Sequence, residues 1–188
     1  MAFWSTGQTE PKRNFRFQVQ IPGLSSQGAP SDIIWWAKSV TTPSFEVSST
    51  EHDYLDNKYY FPGRVTWNDV SLTMVDPISV DAVKLTNKLL ENAGYTVKTS
   101  ETDVKTMSKK QAKDTAIKGF KIMIYDAAHT NGTPIETWTL NNAFITSAKY
   151  GDLDYSSDDL RTVEITVKYD WATCEQQGNE SQFSFGTP

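Results

Sequence analysis

Leu160-Arg161-Thr162-Val163-Glu164-Ile165-Thr166-Val167-Lys168-Tyr169-Asp170-Trp171 alternates apolar and polar side chains from Val163 onward. Successive side chains of a strand point to opposite faces, so a period of two marks a strand with one buried face. Val163, Ile165, Val167 and Tyr169 then share the core side, and Glu164, Thr166, Lys168 and Asp170 the other. Phe15-Arg16-Phe17-Gln18-Val19-Gln20-Ile21 repeats the pattern and stops at Pro22-Gly23.

Working outward, further strands are expected over Ile33–Thr41, Ser44–Ser48, Val65–Val75, Phe120–Asp126 and Glu136–Lys149. Trp35 and Trp36 are adjacent, so one indole should face each side of its strand. Val65 and Trp67 have one parity and Val70, Leu72 and Met74 the other, which predicts a bulge near Asn68-Asp69. Pro62-Gly63 and Asn131-Gly132 read as turns. One helix is expected, capped by Asp76 with Pro77 at its first position. Its stripe is Val80, Val83, Leu85, Leu89 and Leu90, it stops at Asn92-Ala93-Gly94, and its apolar face should lie on a sheet. The expected class is mainly β: a β-sandwich or partly open β-barrel with one flanking α-helix.

At 188 residues the chain suits one domain with its own core. The layout expected is an N-terminal arm over 1–13, a β domain over 14–171 and a flexible C-terminal tail over 172–188. The Lys-, Thr- and Ser-rich stretch 98–118 reads as a possible insertion, a loop or a weak helix around 108–116. Met1-Ala2-Phe3-Trp4 opens no basic-then-apolar leader, and no segment has the apolar length of a membrane span. No direct membrane insertion is expected.

Catalytic chemistry finds little footing. Only His52 and His129 could serve as an imidazole base, one in a polar aromatic stretch and one beside a turn. A single cysteine, Cys174, makes neither an internal disulfide nor a zinc site. Asp152, Asp154, Asp158 and Asp159 lack the glycine and terminal glutamate of a calcium loop. No GxxxxGK[ST] or GxGxxG stands in the sequence. No enzyme activity, cofactor or metal is expected. The net charge of −5 argues against a nucleic-acid grip and suits a surface that phosphate slides past.

Glu51 to Arg64 stands apart, too aromatic for an ordinary loop and too polar for core. Tyrosine and tryptophan are enriched at protein interfaces, and open strand edges invite pairing that ring closure removes. The reading is a structural block that assembles with itself. A sugar-binding or hydrolytic sandwich is the competing class: Trp35 or Tyr59 could stack on a sugar, although no carboxylate pair is spaced for hydrolysis.

Three segments, in order, resemble the tail tube family of contractile-tailed bacteriophages, which is related in fold to type VI secretion tube proteins. They are Arg13–Val19; Phe61-Pro62-Gly63-Arg64-Val65-Thr66-Trp67-Asn68-Asp69-Val70-Ser71-Leu72-Thr73-Met74-Val75; and Thr162–Tyr169 followed by Asp170-Trp171. The resemblance implies hexameric rings stacked into a tube whose lumen conducts the genome during ejection. It implies contact with sheath, baseplate, tape-measure and tail terminator proteins, with genomic DNA only in passage. It implies assembly in the host cytoplasm and residence in the virion tail. It also implies that Val47–Arg64 reaches the adjacent ring, which makes Glu51, His52, Tyr54, Lys58, Tyr59, Tyr60 and Arg64 the expected stacking residues. The polar face Glu164, Thr166, Lys168 and Asp170 would line the lumen. A baseplate tube-initiator and a type VI secretion-like tube protein are the alternatives.

Overall fold

The computed structural model of the chain describes residues 12–22, 32–79, 81–95, 106–112, 114, 117–126 and 132–176. The expected positions Val80, His129 and Asn131, most of the N-terminal arm and the end of the C-terminal tail lie outside them.

The strands are β1 (Phe17–Gln20), β2 (Ile33–Ile34), β3 (Ala37–Val40), β4 (Phe45–Tyr54), β5 (Asn57–Trp67) and β6 (Val70–Val75). After the helices α1 (Ala82–Asn92) and α2 (Lys109–Gln111) come β7 (Phe120–Ile124), β8 (Glu136–Asn141), β9 (Phe144–Lys149), β10 (Thr162–Lys168) and β11 (Trp171–Gln176). Three sheets result, ordered β11-β8-β7-β1-β2, β3-β6-β10-β9 and β4-β5. The first two face each other across the core, and the third projects from them.

The alternation of β10 works as expected. Val163, Ile165 and Val167 are fully buried and lie opposite Met74, Leu72 and Val70 of β6. Phe120, Ile122, Leu140 and Val19 supply the facing layer from the five-stranded sheet. Burying each such side chain stabilises by about 1.5–3 kcal/mol.

The two sheets are joined by chain that changes sheet rather than by closed hydrogen bonding. Asn142-Ala143 carries the chain from β8 to β9, and Tyr169-Asp170 carries it back from β10 to β11. Asp170 N–H donates to the Asn141 carbonyl at 3.1 Å, tying the two corners together. Asn142 takes the left-handed conformation (φ 56°), which asparagine tolerates. Trp35-Trp36 makes a third corner, between β2 and β3, so the expected strand Ile33–Thr41 is split. Trp35 is exposed, Trp36 is buried, and their rings meet edge to face at 5.6 Å.

Several expected boundaries move, each for a local reason. The parity change at Asn68-Asp69 is a change of sheet rather than a bulge. The bulge lies earlier, where the register slips between Val47 and Ser49 opposite Gly63 and Arg64. Pro62-Gly63 is therefore inside β5, and the turn falls at Leu55-Asp56. A two-stranded ribbon is all edge, where proline is tolerated.

The helix begins at Ala82, capped by Asp81, whose carboxylate accepts from Lys84 N–H at 2.9 Å. Asp76 instead extends the sheet ladder through its N–H to the Arg161 carbonyl, while its carboxylate accepts from Ala82 N–H at 2.9 Å. Ala82, Leu85, Thr86 and Leu89 share an apolar hollow with Ile34, Trp36, Met74 and Ile165, so α1 packs on both sheets.

The first residues of the expected tail are part of the sheet. Residues 171–176 form β11 on the edge of the five-stranded sheet, with Ala172 and Cys174 buried opposite Leu140 and Trp138. The stretch 98–118 also reaches the core: Ala112 and Ile117 are buried with Leu89, Leu90, Ala93, Phe144 and Ile145. Ile117→Ala is expected to cost about 2–4 kcal/mol, read as a fall in the urea midpoint. A change under about 0.5 kcal/mol, the size expected of a surface position, would make the stretch peripheral after all.

Candidate functional site

Strands β4 and β5 form a ribbon in which every residue from Phe45 to Thr66 is exposed. At about 3.3 Å per residue it extends roughly 30 Å. An isolated hairpin of this kind is marginal in water, so its root matters. Trp67 meets Phe45 edge-on at 5.3 Å and Tyr169 at 5.8 Å. Asn68 N–H donates to the Ser44 carbonyl at 2.9 Å, and Asn68 Nδ2 donates to Ser44 Oγ at 3.1 Å. The ribbon is thus clamped where it leaves the core.

Residues directly opposite in an antiparallel pair point to the same face. His52 lies opposite Tyr59, Tyr54 opposite Asn57, and Thr50 opposite Phe61. One face of the outer ribbon is therefore aromatic. Glu51 lies opposite Tyr60 and Asp53 opposite Lys58 on the other face. There Lys58 Nζ reaches Glu51 at 3.3 Å and Asp53 at 4.0 Å. These pairs are solvated and worth little to stability; they order the charged face. Nearer the root, Val47 lies opposite Val65 and both are exposed.

Arg64 sits at the bulge. Its N–H donates to Ser48 Oγ at 2.9 Å, and the Ser48 hydroxyl donates back to the Arg64 carbonyl at 3.3 Å. A Cβ on Gly63 would meet Ser48 Oγ at 2.3 Å, so a larger residue there would displace the hydroxyl that bonds Arg64.

All seven residues expected at the stacking surface, Glu51, His52, Tyr54, Lys58, Tyr59, Tyr60 and Arg64, lie on this one ribbon. Sequence reasoning left out Leu55 at its tip, with Phe61, Val47 and Val65, all apolar and exposed. The signal was present, since aliphatic and aromatic residues recur along a segment that is otherwise polar.

The expected lumen set divides. Glu164, Thr166 and Lys168 project from the side of β10 opposite the core, and each charge there has a counterion. Lys149 faces Glu164 at 3.7 Å, Lys168 faces Asp69 at 3.7 Å, and Ser71 Oγ donates to Glu164 at 2.9 Å. Asp170 does not join them. It lies past the end of β10 at the sheet corner, where it accepts from Lys109 Nζ at 2.8 Å and Asn142 Nδ2 at 2.7 Å. The chain turns there to change sheet, so the alternation of β10 no longer sets its direction.

Among the described residues no group of three or more His, Cys, Asp or Glu side chains could hold a metal ion. No described helix is long and apolar enough to cross a membrane.

No family model matches the sequence, and no curated protein does. Solved structures do. A chain of the extended sheath–tube complex of an extracellular contractile injection system (PVC) superposes with a TM-score of 0.62 at 18% identity, over 94% of this chain and 99% of that one. This is the tail tube fold. A chain of the anti-feeding prophage tube-terminating cap also gives 0.62, at 16% identity, over 89% of this chain and 93% of that one. A chain of the PVC sheath/tube terminator gives 0.59 at 19% identity, over 89% and 99%. Among the described residues of this chain the ribbon is the longest segment outside the two core sheets.

Burial pushes the Tyr169 phenol up to about 12. It pushes Tyr125 up as well. A raised folded-state pKa gives stability that is complete below the unfolded value and lost as pH rises through the folded one. Stability should therefore fall between about pH 10 and 12. In chemical unfolding monitored across that window, Tyr169→Phe is expected to make the decline shallower. An unchanged slope would mean that the root tyrosine is solvated.

Proposed function

We propose that the chain is a structural subunit of a contractile-tail tube. The observation that carries this reading is the exposed ribbon. A segment on which Tyr54, Leu55, Tyr59, Tyr60 and Phe61 all face solvent makes sense when a partner covers it. The fold shared with chains of the sheath–tube complex supports the same reading. On this proposal copies form hexameric rings, and the ribbon of each ring contacts the next through Glu51, His52, Tyr54, Lys58, Tyr59, Tyr60 and Arg64. Glu164, Thr166 and Lys168, with their charges paired, make a lumen wall to which a passing polyanion has little to adhere. Sheath, baseplate, tape-measure and terminator proteins are the proposed partners, and the proposed place is the tail of a phage particle with DNA as the cargo.

A second reading has its own support. The cap chain superposes as well as the sheath–tube chain and the terminator chain nearly so, and two of the three come from an extracellular contractile injection system. The chain would then serve at one end of a tube, or in a secretion-type tube. Copy number in the purified particle separates a single ring from a repeated subunit, and the cargo separates genome from protein.

The test is addition of purified chain to native baseplates, followed by electron microscopy. Wild-type chain is expected to extend tubes of constant bore. The triple variant Tyr59→Ser, Tyr60→Ser, Phe61→Ser should reduce extension at least tenfold while its unfolding midpoint stays within a few degrees, because these side chains lie outside the core. Wild-type chain that neither extends baseplates nor occurs in the tube of the particle would sink the proposal.

A further inference from the structure

A cleft of about 1090 Å³ lies between the start of β1, the strand β3, the end of β7 and the start of β8. Its apolar lining includes Phe15, Val40 and Ile124. Among the described residues that line it are four cations, Lys12, Arg13, Arg16 and Lys38, and one carboxylate, Glu136, which pairs with Lys12. Arg16 lies over the Phe15 ring at 5.4 Å, and Phe15 is itself exposed. A basic, half-apolar cleft is unusual on a chain whose net charge is −5.

The complement lies on the same chain. The loop Gly151–Arg161 between β9 and β10 is exposed throughout. It carries Asp152, Asp154, Asp158 and Asp159, and its apolar members Leu153, Tyr155 and Leu160 are 81%, 112% and 72% exposed. The stem of the loop is held in place. Gly151 is at φ 66°, and a Cβ there would meet the Thr162 carbonyl at 2.6 Å. Arg161 Nη1 faces Asp76 at 3.5 Å, and its Nε donates to the Tyr150 carbonyl at 3.4 Å. The single cation of the loop is thereby spent at the stem, and the four aspartates project as an acidic lobe. Ser156 donates to Asp154 from both its N–H and its hydroxyl, which holds that carboxyl below its usual range.

In the sheet β3-β6-β10-β9 the cleft borders the edge strand β3, and the loop joins β10 to the edge strand β9 on the other side of the sheet. A contact that joins one side of a molecule to the opposite side of the next is heterologous, the kind that propagates around a ring. We propose that the basic cleft of one copy receives the acidic Gly151–Arg161 loop of the next copy, with Leu153, Tyr155 and Leu160 covering the apolar lining. Charge sets the register and the encounter, and apolar burial holds the contact. The proposal rests on the self-assembly reading above, and adds the contact within a ring to the contact between rings.

Disulfide trapping between two full-length variants tests it without requiring tubes. Lys38→Cys in one chain is mixed with Asp154→Cys in another under mild oxidation. The native Cys174 is buried and its thiol is pushed up by that burial, so the introduced thiols react first. The mixed dimer is expected at least fivefold above that from Lys38→Cys with Asp56→Cys at the ribbon tip. The excess should vanish when Lys12→Glu and Arg13→Glu are added to the first chain, or in salt that shortens the screening length to about 3 Å. Equal yields for the two pairings, or a preference for Asp56→Cys, would overturn the proposal; the latter would give the cleft to a ribbon instead. In nucleated assembly, Asp152→Lys, Asp154→Lys and Asp158→Lys together should block growth, and Lys12→Glu, Arg13→Glu and Lys38→Glu in the same chain should restore it. Trapped pairs without tubes would uphold the contact and remove the tube reading. Tubes without trapped pairs would do the reverse.

Discussion

Strand β10 is hydrogen-bonded on both sides, and its inward side chains Val163, Ile165 and Val167 are closed off from water. Much of the molecule is arranged around that constraint. The register with β6 places Leu72 and Met74 beside them, and the register with β9 brings in Ile145. Because the strand is central it cannot slip by one residue without turning its whole apolar row to solvent. Where β10 ends, Tyr169 remains buried and meets Trp67, so the same strand that organises the core also holds the root of the ribbon.

This coupling gives the ribbon its character. It has no core of its own, yet it leaves the body through aromatic contacts and a double hydrogen bond between Ser44 and Asn68. A rigid root with a solvated shaft presents side chains at a distance from the body while leaving the core intact if they are changed. Stability and exposed surface are thereby separated, because the ribbon's side chains lie outside the core. The basic cleft and the acidic loop follow the same economy, being built from chain that the core sheets leave over at their edges.

Parts of the candidate site were legible before any coordinates. His52, Tyr54, Tyr59 and Tyr60 stand out because aromatics without a core period are rare unless something covers them. Their division into an aromatic and a charged face was not legible, because it depends on the pairing of His52 with Tyr59 and of Glu51 with Tyr60. That pairing depends in turn on a turn at Leu55-Asp56 which the stronger signal of Pro62-Gly63 obscured. Asp170 was assigned to the face of β10 by parity, and parity ends where the chain changes sheet. The aspartates of the Gly151–Arg161 loop and the cations at Lys12, Arg13 and Lys38 were visible as residues, but nothing local relates two segments more than a hundred positions apart.

The sequence by itself determined the β class, the buried row of β10 and the presence of one substantial helix, because side-chain periodicity is a local property that burial reads directly. Only the tertiary structure decided where strands change sheet, that 171–176 is a paired edge strand, and that Ala112 and Ile117 belong to the core. In β11 only Ala172 and Cys174 are buried, too short an apolar alternation to mark a strand before its pairing with β8 is known, and a corner is set by the two sheets it joins. Alternation told which side of Val163–Tyr169 would be dry; what the ribbon, the cleft and the acidic loop face depended on how distant segments were brought to the edges of one sandwich.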